Sequence, residues 1–237
     1  GIEEAVWIAR FFSLKINYRA GDGESVKPGA KLLELEGEAR RILQLERVLL
    51  NIIGHMSGVA TETRKALTIA RSRNPNVKVS ATRKTLPGLR LLEKKAVIIG
   101  GGDPHRYDLS DMVLIKDNHI KIVGDVGEAV RRARAATSFT KKVEVEVGSL
   151  EEAVKAVENG ADIVMLDNLT PEEVDKIVRS LKDKGLRDKA IIEASGGINL
   201  DNIQKYAESG VDVISMGAIT DSAKAIDVSL EVEEVLG

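Results

Sequence analysis

The sequence predicts an α/β protein in which a smaller N-terminal α+β domain precedes a barrel-like parallel sheet of about six strands. From residue 77 onwards, short apolar runs alternate with amphipathic helical stretches, which is typical of a parallel sheet. Residues 149–168 also align without gaps to residues 199–218. Each copy reads as a helix, a glycine that ends it and a strand, which is the repeating unit of an α/β barrel.

The N-terminal domain is predicted to span residues 1–60. An amphipathic helix over Ile2–Phe12 is followed by short strands, which glycines and a proline separate. A second helix is expected over Glu38–Ile53, because its apolar residues recur at helical spacing. Apolar and polar residues alternate strictly within residues 225–234, which predicts a half-buried strand that returns to this domain.

Residues 61–224 are predicted to form the barrel domain. Thr61 is expected to cap a helix that ends before Asn74 and Pro75. Later helices are expected to begin at three capping residues: Ser149, Thr170 and Asn199. Six strands are predicted between the helices: Val77–Thr82, Met112–Ile115, Lys142–Val147, Ile163–Leu166, Ala190–Ala194 and Val211–Ser215. This number is two short of a closed (β/α)₈ barrel.

The composition limits the classes of function. The net charge is −2, so a basic site has to be a local concentration of cations, and a nucleic-acid partner is not expected. Cysteine is absent, which excludes disulfides, thiolate metal sites and a cysteine nucleophile. No run approaches the ~20 apolar residues of a membrane span, and no signal peptide is recognisable. We therefore expect a cytoplasmic protein without a membrane partner.

Cationic side chains are concentrated between residues 80 and 119, around three consecutive glycines. The members of this cluster are Arg83, Lys84, His105, Arg106, Lys116 and His119. Several of them follow predicted strands directly, and the carboxyl ends of parallel strands open onto the ligand crevice. The spacing predicts a cationic pocket for a polyanion, and a solvated helix face is the alternative interpretation.

The later strands are predicted to bring two carboxylates and a glycine-rich loop to the same rim. Glu146 and Asp167 end neighbouring strands, so their carboxylates can converge and bind a cation, for which Mg²⁺ is the expected ion. Glycines at strand ends that lead into helices present backbone N–H groups to phosphate. The residues expected to bind phosphate in this way are Ser195, Gly196, Gly197 and Gly217.

Three motifs in one order carry a family resemblance: TRKTLPG over residues 82–88, GGGDPHR over 100–106 and KDNH over 116–119. Together they resemble quinolinate phosphoribosyltransferase. The resemblance extends from about Gly1 to about Leu230 and implies a partly open barrel of about this strand count. It also implies an opening segment before Gly1.

The resemblance implies that quinolinate reacts with phosphoribosyl pyrophosphate and loses CO₂, which gives nicotinate mononucleotide and pyrophosphate. Arg83 and Arg106 are expected to bind carboxylates, and His105 and Thr82 to hydrogen-bond the same acid. Catalytic roles are expected for Lys84, Lys116, Glu146 and Asp167.

The segment ERVLLN over residues 46–51 extends the resemblance. It implies that Arg47 binds a substrate carboxylate in the neighbouring subunit, so that the chain forms a homodimer or a larger homo-oligomer. His55, at the end of this helix, is interpreted as structural. Asp221 is a departure from the family, many members of which have a histidine there, and the 5′-phosphate would then depend more on Gly217 and the loop 195–197.

Other functions are compatible with the same pattern. A related pyrophosphorylase-like protein, such as those linked to molybdenum uptake, would act on another anionic base. A Schiff-base aldolase would use Lys84 or Lys116 as its nucleophile. A non-catalytic phosphosugar-binding barrel would not need both Glu146 and Asp167.

Overall fold

The computed structural model describes residues 1–235. A six-stranded parallel sheet with surrounding helices follows a small N-terminal part, as the sequence predicts. The helices are α1 (Ile2–Phe11), α2 (Ala39–Arg71), α3 (Arg90–Ile99), α4 (Asp117–Val123), α5 (Val126–Ala136), α6 (Leu150–Glu158), α7 (Pro171–Asp183), α8 (Ile203–Glu208) and α9 (Ala218–Asp221). The strands are β1 (Lys15–Arg19), β2 (Leu33–Glu36), β3 (Lys78–Ser80), β4 (Val113–Ile115), β5 (Val143–Val147), β6 (Ile163–Asp167), β7 (Ile191–Ser195) and β8 (Val213–Ser215).

The large sheet is an open barrel with the order β3-β8-β7-β6-β5-β4. All of its neighbouring strands pair in parallel, and all six predicted strands are present. The two edge strands, β3 and β4, do not pair with each other in the part of the chain that the structure describes. A single parallel bridge from Ser80 to Asp103 instead places the loop that follows α3 beside β3.

The two faces of the sheet differ in chemistry. The outer face packs against the helices and belongs to one apolar core, to which Val145, Leu166 and Ile214 contribute. Because side chains alternate along a strand, the residues between these face the barrel interior. Glu144 and Glu193 lie on that inner face and are 0% and 1% exposed. The interior of this barrel is therefore acidic where barrel interiors are usually filled by branched apolar residues.

An aspartate at the same position in both copies of the internal repeat makes matching hydrogen bonds. The carboxylate of Asp162 accepts hydrogen bonds from the backbone of Val143 and from Arg134, which also binds the carbonyl of Gly160. In the second copy, Asp212 accepts from the backbone of Ile192 at 2.7 Å. Matching positions in the repeat thus hold the amino-terminal ends of the strands together.

Arg187 completes the second copy. Its guanidinium donates to Asp212 and to the carbonyl of Gly210, both at 2.8 Å. The side chain of Arg187 is 17% exposed, so solvent screens this ion pair less than one on the open surface.

Two of the three predicted helix caps are observed as expected. Ser149 accepts from the backbone of Glu152, and Thr170 forms a capping box with Glu173. The third helix, α8, begins at Ile203, later than predicted. Asn199 instead accepts from the backbone N–H groups of the turn that precedes the helix.

The predicted break between two helices near Thr61 is wrong, because α2 runs without interruption from Ala39 to Arg71. Gly54 and Gly58 do not break the helix. They allow the C-terminal segment to approach, since a Cβ on Gly54 would lie 2.7 Å from the carbonyl oxygen of Ile226. The predicted domain boundary at residue 60 therefore falls within one helix, and the division into domains stays a prediction.

The predicted strand over residues 225–234 is also wrong, because these residues are extended but pair with no strand in the described chain. The segment does return to the N-terminal part. The backbone of Ile226 donates to the carbonyl of Gly54 at 2.9 Å, and Val228 packs against the N-terminal apolar cluster. The apolar residues of the alternating pattern thus pack on helix α2, which has glycines at the contact.

The N-terminal part has its own apolar core. Strands β1 and β2 form an antiparallel pair, and α1 packs against α2 through Ala5, Ala9, Leu49 and Ile53. Within residues 1–235, no helix has the length and apolar character that a membrane crossing requires.

We predict that Asp212→Ala lowers the free energy of unfolding by about 2 kcal/mol, because it leaves the buried N–H of Ile192 and the guanidinium of Arg187 without their acceptor. Urea unfolding at pH 7 measures this change. The matched control is Asp183→Ala, whose carboxylate is exposed at the end of α7 and should alter stability by less than about 0.5 kcal/mol. Equal effects of both substitutions would contradict the role of Asp212.

Candidate active site

The predicted site residues gather at the carboxyl ends of the barrel strands. Thr82, Arg83 and Lys84 follow β3, and Lys116 follows β4. Glu146 lies near the end of β5, and the last residues of β6 and β7 are Asp167 and Ser195. Gly196 and Gly197 follow β7, and Gly217 follows β8. His105 and Arg106 come from the loop after α3 and reach the same region.

Arg83 and Arg106 lie close to each other. Burial, and then the charge of Arg83, lower the pKa of Arg106. The Nε atom of Arg83 is buried and has no hydrogen-bond partner among the described residues. Two guanidiniums whose charges interact, one of them with a buried and unpartnered Nε atom, indicate a site prepared for an anion, since each can bind a carboxylate through two hydrogen bonds.

Lys84 and Gly217 follow neighbouring strands of the sheet, β3 and β8. A Cβ on Gly217 would lie 3.1 Å from Cδ of Lys84 and 2.9 Å from a carboxylate oxygen of Asp221. The hydroxyl of Thr82 accepts from the backbone of Lys84 at 3.0 Å, which shapes the turn after β3. Asp221, the departure from the family, thus lies beside the glycine that was expected to contact phosphate.

Lys116 and Glu146 form an ion pair across the ends of β4 and β5. The Lys116 side chain is 47% exposed and the Glu146 side chain 14%, so the pair lies at the mouth of the barrel. Lys116 is also the residue that precedes α4, and its backbone N–H donates to Nδ1 of His119 at 2.9 Å. His119 therefore supports the backbone of Lys116.

Asp167 and the glycine loop are joined through Asn168. The side-chain amide of Asn168 donates to Asp167 at 2.8 Å, and its backbone N–H donates to the carbonyl of Ser195 at 2.9 Å. Asn168 and Gly196 both have left-handed backbones, with φ of 55° and 97°. A Cβ on Gly196 would lie 2.8 Å from the backbone nitrogen of Asn168, so only glycine fits.

The carboxylates proposed for a metal ion lie on the inner face of the sheet. Glu146 pairs in register with Met165, two residues before Asp167, so both acids face the interior on neighbouring strands. Carboxylate oxygens are the ligands that Mg²⁺ prefers. The donor types and their shared face fit this ion.

His105 contacts two buried glutamates inside the barrel. Its Nε2 atom lies 3.5 Å from Glu144 and 3.4 Å from Glu193. Burial lowers the pKa of His105, but the hydrogen bond to Glu193 and the charges of both glutamates outweigh burial and raise it. Burial, and then the charge of Glu193, raise the pKa of Glu144 to about 8. The Glu144 carboxyl therefore holds a proton near neutral pH.

These three side chains have the spacing of a metal site, but the histidine is turned the wrong way for one. The backbone N–H of Arg106 donates to Nδ1 of His105 at 2.8 Å, so Nδ1 presents a lone pair. The two glutamates favour the doubly protonated imidazolium form of His105, whereas the hydrogen bond from Arg106 to Nδ1 favours the neutral form. In both forms Nε2 carries a hydrogen. An Nε2–H points at the acids and cannot bind a cation.

Arg47 is the one predicted site residue that lies apart from the others. It is on the N-terminal half of α2, its side chain is 73% exposed, and its ion pair within residues 1–235 is with Glu46 at 3.8 Å. The structure of one chain does not bring it to the barrel mouth.

The structure adds three buried charged residues that the sequence reasoning missed: Glu93, Lys94 and Glu193. An acid within the apolar run of β7 was a signal for Glu193, since an isolated charge inside a buried strand requires a partner. Glu93 and Lys94 gave no comparable signal, because charged residues are common on helices. His55, interpreted as structural, contacts Glu93 at 2.8 Å.

A parallel barrel that concentrates cations and carboxylates where its strands end belongs to the α/β-barrel proteins that bind anionic ligands at this rim. Comparison with known proteins specifies the family. Residues 1–57 match the N-terminal domain of quinolinate phosphoribosyl transferase, and residues 59–231 match its C-terminal domain. The chain therefore belongs to the quinolinate phosphoribosyl transferase family, which confirms the resemblance seen in the motifs.

Individual relatives are similar over most of their length. The chain is 54% identical over 232 residues to the probable carboxylating nicotinate-nucleotide pyrophosphorylase of Methanothermobacter thermautotrophicus, covering 98% of this chain and 83% of that protein. It is 44% identical over 217 residues to the human carboxylating nicotinate-nucleotide pyrophosphorylase, covering 92% and 72%. A crystal structure of the enzyme from Ehrlichia chaffeensis superposes with a TM-score of 0.91 at 34% identity, covering 98% and 83%.

We predict that Gly196→Ala lowers the free energy of unfolding by about 3 kcal/mol, because it combines a left-handed backbone with a clash against Asn168. Gly185→Ala is the matched control. Gly185 has φ of 66° and no atom within 4 Å of an added Cβ, so it carries the backbone strain alone and should lose about 1 kcal/mol. Thermal unfolding of both variants measures the difference, and a similar loss in both would show that the contact with Asn168 can relax.

Proposed function

We propose that this chain transfers the phosphoribosyl group of phosphoribosyl pyrophosphate to quinolinate, with loss of CO₂, in the synthesis of nicotinate mononucleotide for NAD. It is thus a carboxylating nicotinate-nucleotide pyrophosphorylase, a pentosyltransferase. The observation that carries the proposal is the pair of adjacent, partly buried guanidiniums of Arg83 and Arg106 beside the carboxyl ends of the strands, within this family. A cytoplasmic location stays a prediction.

The reaction brings together two substrates that repel each other. Quinolinate carries two carboxylates, and phosphoribosyl pyrophosphate carries a 5′-phosphate and a pyrophosphate. At an effective dielectric constant of about 20, two unit charges 4 Å apart interact by about 4 kcal/mol. Several cations are therefore needed at the site, and the rim supplies Arg83, Lys84, Arg106 and Lys116.

Arg83 and Arg106 are proposed to bind the two carboxylates of quinolinate and so to aim its ring nitrogen at the anomeric carbon. The bond from this nitrogen to the carbon forms as the bond to pyrophosphate breaks. The ring nitrogen is then positively charged, so the electron pair left when CO₂ departs is stabilised next to it, and a proton completes nicotinate mononucleotide. Thr82 is proposed to hydrogen-bond the acid. The predicted bond from His105 is not part of the proposal, because the backbone of Arg106 and the buried glutamates already engage both of its ring nitrogens.

Lys84 and Lys116 are proposed to neutralise the phosphates and the leaving pyrophosphate as point charges. The contact of Lys84 with Gly217 and the position of Lys116 at the mouth of the barrel support these proposed roles. The turn of Ser195, Gly196 and Gly197 is proposed to present backbone N–H groups to the 5′-phosphate. Glu146 would leave its pair with Lys116 when substrate competes for that lysine.

Glu146 and Asp167 are the residues that would hold Mg²⁺. When bound there, the ion would supply positive charge to the phosphate oxygens. The fit rests on the oxygen donors of both side chains and on their shared inner face.

A homodimer, or a larger homo-oligomer, is proposed to complete the site with Arg47. Large apolar side chains of the first two helices are exposed, including a stacked pair on α1, Trp7 and Phe11, which are 67% and 71% exposed. Leu43 and Val48 flank Arg47 on α2 and are 60% and 48% exposed. Exposed apolar patches of this kind mark protein contacts, and a partner here would let Arg47 reach a neighbouring barrel.

We predict that the protein forms nicotinate mononucleotide and pyrophosphate from quinolinate, phosphoribosyl pyrophosphate and Mg²⁺. Liquid chromatography of the products measures the reaction, and nicotinate in place of quinolinate is the control that should give far less product. Chelation of the metal should abolish turnover, because the pyrophosphate would lose part of its charge neutralisation. Turnover of another anionic base but not of quinolinate would show that the substrate is different.

We predict that Arg47→Ala and Lys116→Ala chains are each inactive but regain activity when mixed. A hybrid dimer has one site in which both residues are intact, so recovery of about one quarter of wild-type activity is the statistical expectation if Arg47 acts across the interface. Lys65→Ala, exposed on the same helix, is the control and should retain activity alone. No recovery after unfolding and refolding the mixture would contradict a shared site.

A further inference from the structure

Helix α3 directs three charged side chains at two loops that carry predicted site residues. We call residues 82–88 the first loop and residues 103–107 the second loop. Glu93 and Lys94 are both 0% exposed, although they are charged residues on a helix. Burial of a charge is unfavourable unless hydrogen bonds compensate it, so their partners indicate what they do.

Glu93 holds the first loop. One of its carboxylate oxygens accepts from the backbone N–H of Leu86 at 3.1 Å, and the other lies 2.8 Å from Nε2 of His55. The carboxylate thereby joins the loop that carries Arg83 to helix α2. Both oxygens of the Glu93 carboxylate therefore have a hydrogen-bond partner, although no solvent reaches them.

Lys94 holds the second loop. Its ammonium group donates to the carbonyl of Pro104, directly before His105, and lies 5.4 Å from the centre of the Tyr107 ring. Burial, and then the charge of Arg90, lower the pKa of Lys94 to about 8. The charges of Asp103 and Asp111 raise this pKa, but neither acid forms an ion pair with Lys94 among residues 1–235. A buried lysine whose partner is a loop carbonyl is not explained by charge pairing.

Arg90, one turn earlier, links the two loops directly. It donates to the hydroxyl of Thr85 and to the carbonyl of Tyr107, both at 3.2 Å. The first two turns of α3 therefore contact both loops at once.

The site needs such an attachment because its own charges oppose it. Arg83 and Arg106 repel each other across the gap between the two loops before substrate binds. His105 also has a left-handed backbone, with φ of 52°, which a non-glycine residue adopts at a cost. The contacts from α3 support both loops against this repulsion and this backbone strain.

We propose that Glu93 and Lys94 are positioning residues, which hold the first and second loops at the separation that lets Arg83 and Arg106 bind one dicarboxylate together. The role of quinolinate as that dicarboxylate rests on the proposed function. Neither residue touches the substrate, and each acts through the loop that it binds.

Lys94→Met tests the second loop, because methionine keeps the length of the side chain and removes both the charge and the donor. The KM for quinolinate should rise at least about tenfold, since a small misplacement of a binding group has large effects. The KM for phosphoribosyl pyrophosphate should change less than about twofold. The Tm should stay the same or rise, because apolar replacement of a buried charge is often neutral or stabilising.

Lys95→Met is the matched control on the next residue of the helix. Lys95 binds Glu3 and Glu4 and contacts neither loop, so both KM values should remain those of the wild type. For the first loop, Glu93→Gln retains an oxygen for the N–H of Leu86 and should keep most of the quinolinate affinity, whereas Glu93→Leu should lose it.

Hydrogen–deuterium exchange gives a readout that needs no turnover. The backbone amides of the second loop should exchange about tenfold faster in Lys94→Met than in the wild type, and Lys95→Met should not change them. If wild-type protein fails to convert quinolinate, the proposed function fails, and exchange alone decides the positioning role. Unchanged exchange in Lys94→Met, or a KM change accompanied by an equal loss for both substrates and a lower Tm, would overturn it.

Discussion

Arg83 and Arg106 lie close enough that the charge of one lowers the pKa of the other. This repulsion is the constraint on which the rest of the site depends, because a site for two anionic substrates has to hold its cations together before either substrate arrives. Isolated loops cannot do so. The strands bring the first cation to the rim, the loop after α3 brings the second, and buried side chains of α3 attach both loops to the helix layer.

Two buried acids in the barrel interior lie close to these cations. Glu144 and Glu193 are buried beside His105, and the charge of Glu144 acts on Arg106. Because Glu144 keeps a proton near neutral pH, the pair carries less than its full negative charge. The two glutamates therefore contact His105 with less than their full negative charge.

Much of this arrangement could be predicted from the sequence, and the failures have physical causes. The six strands were recognisable from apolar runs between capped helices, and their ends located most of the site. The helix predicted to end at Ile53 instead continues through Gly54, against which residue 226 packs from the far end of the chain. For the same reason the alternating pattern of residues 225–234 was mistaken for a strand. Glu93 and Lys94 look like ordinary helix residues until the loops that cover them are known.

By itself, the sequence determined which residues stand at strand ends and which motifs they form, because periodicity, caps and glycine turns are local properties of the chain. It therefore specified the family and most of the residues at the rim. Only the tertiary structure decided which charges are buried and what they contact. Strand order and loop closure bring His105 to Glu193, and Lys94 to Pro104, and burial alters their energetics through solvent exclusion, which no local pattern records.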